Sequence, residues 1–364
     1  ANIYIGDDSK NIKDDIDLIV YTSAISDSNP ELLRARELNM KIMDRAEFLG
    51  AVMKNYNHAI CVSGTHGKTT TTGMLSSVLI GTDLAPTIFL GGEMDSLGGN
   101  LLHGSYELLL TEACEYKRNF LKFNPTMEVV LNIDEDHLDY YKDLKDIESA
   151  FVEYAQKLPP DGHLIINEAH SHLFENLECN IVTFGLDKGD YYAHNIKLFP
   201  EPSYTLMKDG KRIMDISLRV FGEHNILNSI AACAAALSLE IEPETIVKGL
   251  SDFKGTHRRY EYKGSLNGAA VIDDYAHHPS EMKATLKTAV SYTEGKIITV
   301  FQPHTFTRTI KLLDGFAEAL SMSDEAILLD IYAARELKSM AKKGDTIITM
   351  GAGNVDEIAD MLLE

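Results

Sequence analysis

The segment around residue 64 carries the residue types that hold phosphate groups. An apolar run at residues 59–63 leads into a glycine turn, and Lys68 and Thr69 then open a stretch with helical periodicity. In such a loop the backbone N–H groups and the positive end of the helix hold phosphate oxygens, the lysine reaches the terminal phosphates, and the hydroxyl can bind Mg²⁺. Val62 replaces the first glycine of the strict pattern, so this is a shorter variant. The sequence therefore predicts an ATP site formed by Gly64, Thr65, His66, Gly67, Lys68, Thr69 and Thr70.

Acidic residues follow two further predicted strands. Glu112 comes directly after the apolar run at 107–111, and an acidic segment that contains His137 follows the run at 128–132. Ligands of α/β proteins bind where such strands end, and carboxylates near a phosphate loop bind Mg²⁺. Glu112 is thus predicted to be a metal ligand. The segment 134–139 indicates a divalent-cation site or a water-positioning cluster, with an exposed acidic loop as the alternative.

Three polar clusters lie at or beside predicted strand ends in the C-terminal part of the chain, at residues 256–259, 272–279 and 301–308. Arginine offers a fixed charge to phosphate, and histidine can hold a carboxylate or an amine at neutral pH. Acidic side chains can accept hydrogen bonds from ribose hydroxyls. The clusters therefore predict a second set of ligand contacts that comes from a different part of the fold.

Composition excludes several classes of function. The chain has 364 residues and a formal net charge of −21, which argues against generic nucleic-acid binding because such binding needs a basic face. No apolar run comes near the ~20 residues of a membrane span, and no pattern of a signal peptide is seen, so we expect neither a membrane span nor a signal peptide. Its four cysteines are far apart, without a C-x-x-C pair, so we expect no disulfides and a cytoplasmic location.

Short apolar runs alternate with helical periodicity along most of the chain, which predicts an α/β fold with largely parallel sheets. A hairpin is predicted around residues 208–211, followed by a long alanine-rich helix at 222–239. Helices are also predicted from about Pro279, Thr309 and Asn354. The predicted strands are 17–21, 58–63, 107–111, 128–132, 163–167, 180–184, 204–207, 213–220, 259–263, 269–272, 296–301, 325–331 and 346–350.

Taken together, these motifs resemble the Mur ligase family. The resemblance covers nearly the whole chain and rests on the ordered segments 64–70, 112–116, 132–139, 224–228, 257–259, 273–279 and 302–308. It implies a three-domain α/β architecture. The domains would be a partial N-terminal Rossmann-like domain for a UDP substrate at 1–57, a central P-loop ATPase domain at 58–255 and a C-terminal Rossmann-like ligase domain at 256–364.

The resemblance also implies a reaction. It is the ATP-dependent joining of L-alanine to the lactyl carboxylate of UDP-N-acetylmuramate, through an acyl phosphate, in peptidoglycan precursor synthesis. Closure of the domains would exclude water from the acyl phosphate. The implied catalytic residues are Lys68, His137, His278 and Arg308, and the implied Mg²⁺ ligands are Thr69, Glu112 and His137. Besides the phosphate loop, the implied nucleotide contacts are His224, Asn225, Asn228, Arg259 and Asp274, and the substrate contacts are Ser23, Ala24, Ile25, His277 and His304.

The chain departs from the family pattern at two places. The glycine-rich turn that opens the N-terminal domain is absent, and only residues 337–343 stand where the family has a longer segment, so either residues are missing or these are true deletions. Other readings stay open: a murein-tripeptide recycling ligase, a non-catalytic Mur-like nucleotide-binding protein, or a P-loop transport or signalling ATPase. We expect a monomer or a homodimer without nucleic-acid or membrane partners.

Overall fold

The computed structural model describes residues 2–22, 25–138, 140–199, 201–304, 306–329 and 341–363. Its N-terminal part is small. Within the described residues it holds a two-stranded parallel sheet, β1 (Ile19–Tyr21) and β2 (Ile42–Asp44), with helices α1 (Pro30–Glu37) and α2 (Arg45–Met53). Asp44 caps α2 through a capping box with Glu47.

The central part is built on one large sheet, which has ten strands within the described residues, in the order β12-β11-β10-β9-β8-β7-β3-β6-β4-β5. Neighbours from β10 to β4 pair in parallel, and β5, β11 and β12 pair antiparallel at the two edges. The strands are β3 (His58–Ser63), β4 (Thr87–Met94), β5 (Gly99–Leu102), β6 (Leu108–Glu112), β7 (Met127–Val130), β8 (His163–Asn167), β9 (Asn180–Gly185), β10 (Tyr191–Lys197), β11 (Ser203–Lys208) and β12 (Lys211–Ser217).

Helices cover both faces of this sheet. They are α3 (Lys68–Leu79), α4 (Leu144–Ala155), α5 (Glu223–Ser238) and α6 (Pro243–Asp252). Because strand side chains alternate between faces, Ile60 and Val62 of β3 pack into one core with α3 and α5, while Ala59 and Cys61 pack into the other with α4. The buried alanines of α5 let that helix lie close to the sheet.

The C-terminal part has a second sheet, with five strands among the described residues in the order β13-β14-β17-β15-β16. The strands are β13 (Glu261–Leu266), β14 (Ala269–Asp274), β15 (Ile297–Phe301), β16 (Glu325–Leu328) and β17 (Thr346–Met350). Among the strands that the structure describes here, only β13 pairs antiparallel. Its helices are α7 (Pro279–Val290), α8 (Phe306–Lys311), α9 (Leu313–Leu320) and α10 (Asp356–Leu363).

The mixed α/β architecture and the hairpin are as predicted. Strand β12 ends at Ser217, short of the predicted residue 220, because the chain then turns toward α5. Strands β4 and β5 were not predicted, since glycines interrupt their apolar pattern. The predicted end of β16 at 331 lies outside the described residues. Among the described residues, no helix is long and apolar enough to cross a membrane.

Candidate active site between the central and C-terminal sheets

The phosphate loop lies at the carboxyl end of β3, between the ends of β6 and β7. Gly64 and Gly67 have φ angles of +134° and +84°, which L side chains rarely adopt. The side chain of Asn132 fastens the loop, because its Oδ1 accepts from the His66 N–H at 2.8 Å and its Nδ2 donates to the His66 carbonyl at 3.0 Å. Within the described residues, no side chain caps α3, so its first N–H groups face the loop. This is the arrangement that holds an anion.

Beneath the loop, β7 carries a buried acid. Glu128 is fully buried, and one of its carboxyl oxygens lies 3.2 Å from the hydroxyl of Ser63, the last residue of β3. Burial raises the pKa of Glu128 well above its ordinary value, although the Ser63 hydrogen bond opposes this. Burial therefore favours the protonated form of Glu128, whose carboxyl group joins the end of β3 to β7.

Lys68 is held by a residue that the sequence did not assign, Glu115. The Lys68 ammonium donates to the carbonyls of Gly64 and Thr65 and lies 3.0 Å from Oε2 of Glu115, which is buried. Burial alone would lower the pKa of Lys68. The Glu115 carboxylate and neighbouring groups raise it by more than burial lowers it, so the pKa of Lys68 lies above its ordinary value. The Nε2 atom of His137 lies 3.7 Å from the other oxygen of Glu115. One buried carboxylate thus contacts both predicted catalytic residues of the central sheet.

Two of the three predicted metal ligands, Thr69 and Glu112, contact each other, whereas the third, His137, contacts other carboxylates. The Thr69 hydroxyl donates to Glu112 Oε2 at 3.0 Å, and the Gly91 N–H donates to Glu112 Oε1 at 2.6 Å. His137, which has a φ of +53°, contacts Glu115 and Asp136. Over the described ranges, no three His, Cys, Asp or Glu side chains group closely enough to hold a metal ion by themselves. The Thr69–Glu112 oxygens fit Mg²⁺ that is completed by water and nucleotide phosphates, which is its usual mode.

A cavity of about 300 Å³ lies between the two sheets and brings together residues that are far apart in sequence. From the central sheet it is lined by Tyr116 and the segment 135–138, and from the C-terminal sheet by His277, His304 and Arg308, among others. The Arg308 guanidinium lies 3.5 Å from Asp136 Oδ1, and Lys311 donates to the carbonyl of Leu138 at 2.9 Å. The predicted catalytic residues His137 and Arg308 therefore face one space.

His278, which was predicted to be catalytic, lies at the start of α7 and outside this cavity. It caps α7, with Nδ1 accepting from the Ser280 N–H, and it does not line the cavity described above. Burial is the main cause that lowers the pKa of His278 to about 4, so the ring is neutral at pH 7. Its Nε2 is buried and has no hydrogen-bond partner among the described residues. Its catalytic role stays a prediction, and its observed contacts are those of a helix cap.

The phosphate loop touches the C-terminal sheet through His66. Its Nε2 hydrogen-bonds the Ser280 hydroxyl at 2.7 Å, and its Nδ1 lies 3.4 Å from Glu281 Oε1. The rings of His66 and His278 are 5.3 Å apart between centroids. Burial would raise the pKa of Glu281, but the His66 hydrogen bond and nearby His277 and Arg259 hold it well below its ordinary value. An ionised Glu281 thus links the loop to the start of α7.

Two of the predicted nucleotide contacts, Asp274 and Arg259, already have partners within the protein. Both Asp274 oxygens already accept hydrogen bonds, from the Ala276 N–H at 2.8 Å and the Thr285 hydroxyl at 2.7 Å. Burial raises the pKa of Asp274 to about 6, although Arg259 opposes this. The Arg259 guanidinium lies over the Tyr275 ring, 5.1 Å from its centroid.

The start of α5 supports the phosphate loop. His224 is exposed there, whereas Asn225 and Asn228 are buried and hydrogen-bonded to each other. A Cβ atom on Gly67 would lie 2.7 Å from Oδ1 of Asn228, so this amide packs directly against the loop. Of the predicted UDP contacts, Ser23 and Ala24 lie outside the described residues, and the Ile25 N–H donates to the Thr22 carbonyl.

Comparison with known proteins gives three family matches along the chain. They are the catalytic domain of the Mur ligase family at residues 1–57, the Mur ligase middle domain at 62–236 and the Mur ligase glutamate ligase domain at 258–335. The chain is 44% identical to a UDP-N-acetylmuramate--L-alanine ligase of Clostridium novyi, with all of the chain and 88% of that protein covered. It is 45% identical to the ligase of the same name from Clostridium acetobutylicum, at the same coverage.

Solved structures agree with these matches. A UDP-N-acetylmuramate-alanine ligase from Thermotoga maritima superposes with a TM-score of 0.84 at 30% identity, covering 99% of this chain and 87% of that one. A murein peptide ligase from Psychrobacter arcticus shares the fold, with a TM-score of 0.71 at 22% identity over 95% of this chain and 85% of that one.

Proposed function

The chain belongs to the Mur ligase family, and we propose that it joins L-alanine to the lactyl carboxylate of UDP-N-acetylmuramate at the expense of ATP, as a step of peptidoglycan precursor synthesis. One observation carries the proposal. Lys68 and His137 of the central sheet share the buried carboxylate of Glu115, and His137 faces Arg308 across one cavity. A phosphate-binding group and a carboxylate-binding group therefore meet where an acyl phosphate would form.

Two bonds form in this reaction. A carboxylate oxygen of the muramyl substrate attacks the γ-phosphorus of ATP and ADP leaves, and the alanine nitrogen then attacks the acyl carbon, which expels inorganic phosphate. Lys68 and the uncapped N–H groups of α3 stabilise the charge that develops on the transferred phosphoryl group. Mg²⁺, held by Thr69 and Glu112 with the nucleotide phosphates, would neutralise further phosphate charge.

The C-terminal sheet contributes the groups for the second step. Arg308 offers a fixed positive charge to the acyl phosphate. His277 lines the same cavity, and burial is the main cause that lowers its pKa, so its ring is neutral and can accept the proton that the alanine amine loses. Its Nδ1 lies 2.9 Å from the Tyr275 carbonyl, an oxygen that can only accept, so Nδ1 carries the proton and Nε2 is the accepting atom.

We also propose the domain boundaries 1–57, 58–255 and 256–364, which the separate sheets in these three ranges support. The family's use of ATP and the four unpaired cysteines support a cytoplasmic site of action. The proposal of a monomer or a homodimer stays a prediction.

The test is phosphate release from Mg-ATP by the purified chain with UDP-N-acetylmuramate, with L-alanine added or withheld. We expect release that requires both substrates. The Lys68→Ala variant should be folded and inactive, whereas Lys248→Ala, which removes an exposed lysine of α6, should retain full activity. Release that requires the tripeptide L-alanyl-γ-D-glutamyl-meso-diaminopimelate in place of L-alanine would assign the chain to the recycling ligases. Absence of release with every amine would refute a catalytic role.

A further inference from the structure

A second cavity, of about 860 Å³, lies beside the segment that connects the central and C-terminal sheets. The connecting residues 252–257 form part of its lining, and both sheets contribute the rest. Cavities of roughly 300–1,000 Å³ are the size that binds small organic molecules. The proposed reaction assigns no ligand to this space.

Aromatic rings dominate one side of this connector cavity. Phe199 and Phe221 come from the central part of the chain and Tyr292 from the end of α7, and their centroids are 5.7 to 6.0 Å apart. The hydroxyl groups of Tyr292 and Tyr260 are 2.8 Å apart. Rings from both sheets therefore already meet along this wall, so a flat aromatic molecule placed against them would contact both sheets at once.

The polar lining contains groups that lack partners. The Thr256 hydroxyl is buried and has no hydrogen-bond partner in the described part of the chain. Arg219 and Lys254 also line the cavity, and neither forms an ion pair with a described residue. Two of the lining acids, Asp95 and Glu261, are engaged by the ring of His257 at 3.0 and 3.1 Å.

Asp252 is the remaining acid, and Arg259 is a third lining cation besides Arg219 and Lys254. Arg219 and Lys254 are therefore the lining cations that remain available to an anionic ligand.

The cavity is separate from the proposed active site. None of the phosphate-loop residues 64–70 lines it, and neither do Asn228, Asp274, His137 or Arg308. Arg259 is the one predicted nucleotide contact that it shares. A ligand in the cavity would therefore act on the reaction through Arg259 and through the connection between the sheets.

We propose that the connector cavity binds a planar aromatic molecule that carries one anionic group, and that this ligand holds the central and C-terminal sheets together. The aromatic wall would stack on the ring, Thr256 would supply a hydrogen bond, and Arg219 with Lys254 would attract the anion. This site is additional to the ATP and muramyl sites of the proposed reaction.

The test uses 8-anilinonaphthalene-1-sulfonate, a fluorescent aromatic anion, titrated into the full chain. We expect one molecule bound per chain, with affinity at least tenfold weaker in Tyr292→Leu and in Thr256→Val. The matched control is Tyr106→Leu, which removes an exposed ring of the central sheet and should leave binding unchanged. The uncharged analogue N-phenyl-1-naphthylamine should bind at least tenfold more weakly than the sulfonate, and this preference should vanish in Arg219→Gln/Lys254→Gln.

Saturating Mg-ATP distinguishes this site from the nucleotide site. We expect one molecule of the sulfonate to remain bound in its presence. Stoichiometric displacement by Mg-ATP would overturn the proposal, because the probe would then occupy the nucleotide site. Equal binding by wild type, Thr256→Val and the double variant would overturn it as well. Thr256→Val keeps the side-chain volume, so it tests the site even where Tyr292→Leu does not fold.

Discussion

The carboxylate of Glu115 offers the sharpest test of how this site is held before nucleotide binds. In Glu115→Ala the ammonium of Lys68 loses its charged partner at 3.0 Å and keeps only the loop carbonyls of Gly64 and Thr65. Both side chains of the pair are mostly buried. A buried charge that loses its partner destabilises a protein strongly, because the charge stays out of water without compensation.

The size of the effect follows from this burial. Breaking a buried ion pair costs about 3–5 kcal/mol, and about 1 kcal/mol lowers the thermal midpoint of a domain of this size by roughly 2–4 °C. We therefore expect the nucleotide-free Glu115→Ala variant to melt at least ~6 °C below wild type. Mg-ATP supplies new anionic partners for Lys68, so the rise in midpoint on adding nucleotide should be larger in the variant than in wild type.

Thermal unfolding followed by circular dichroism, with and without Mg-ATP, measures both quantities. The matched control is Glu153→Ala, which breaks the more exposed pair of Glu153 with Arg118 and should cost less than about 1 kcal/mol. The double variant Lys68→Ala/Glu115→Ala should recover part of the lost stability, since it removes the unpaired charge. A Glu115→Ala variant that melts like wild type without nucleotide would refute the reasoning.

Three further outcomes follow from the geometry of the site. Gly67→Ala should raise the KM for ATP at least tenfold, because the new Cβ atom would meet Asn228. Gly81→Ala is the control, since Gly81 has the same φ of +84° and open space around it, and it should leave the KM unchanged. Equal KM values in the two variants would contradict this. The raised pKa of Glu128 means that the folded state keeps a proton which the unfolded state releases above about pH 4.5, so stability falls as pH rises, by at most about 1.4 kcal/mol per pH unit. Glu128→Gln should make this slope shallower in urea unfolding measured from pH 5 to 8, and a variant that keeps the wild-type slope would exclude Glu128 as a source of it. His66→Ala should increase the radius of gyration of the nucleotide-free chain in small-angle scattering, because the loop loses its contact with Ser280, and an unchanged radius would show that other contacts hold the sheets together.

Local sequence patterns were sufficient to predict the phosphate loop and most of the strands, because both depend on residues that are neighbours in the chain. Glu112 was predicted as a metal ligand near the loop for a related reason, since parallel strands end at the same edge of a sheet. Strand β4 was not predicted, because Gly91 and Gly92 interrupt its apolar pattern. The Gly91 N–H in fact donates to Glu112, a contact that no spacing in the sequence indicates.

The role of Glu115 depended on tertiary contacts, whereas the position of His278 depended on a local helix start. Glu115 was the second of two acids at the end of β6, and only the fold places it between Lys68 and His137. His278 belongs to a cluster whose residue types favour catalysis, but its backbone position makes it the cap of α7. A signal was present in the sequence, since His278 is followed by Pro279 and, three positions later, by Glu281, as in a capping box.

The phosphate loop is connected to three parts of the fold at once, and this bears on how nucleotide binding and the C-terminal sheet are coupled. Asn132 holds the backbone of His66 from β7, Asn228 packs against Gly67 from α5, and the His66 ring contacts α7. A shift of the loop that accommodates phosphate must therefore move His66 relative to either Asn132 or Ser280. Because the Asn132 amide makes two backbone hydrogen bonds to His66, the contact with Ser280 is the one that should change. Nucleotide binding would then alter the position of α7, which begins two residues after His277, a residue that lines the cavity where the acyl phosphate forms.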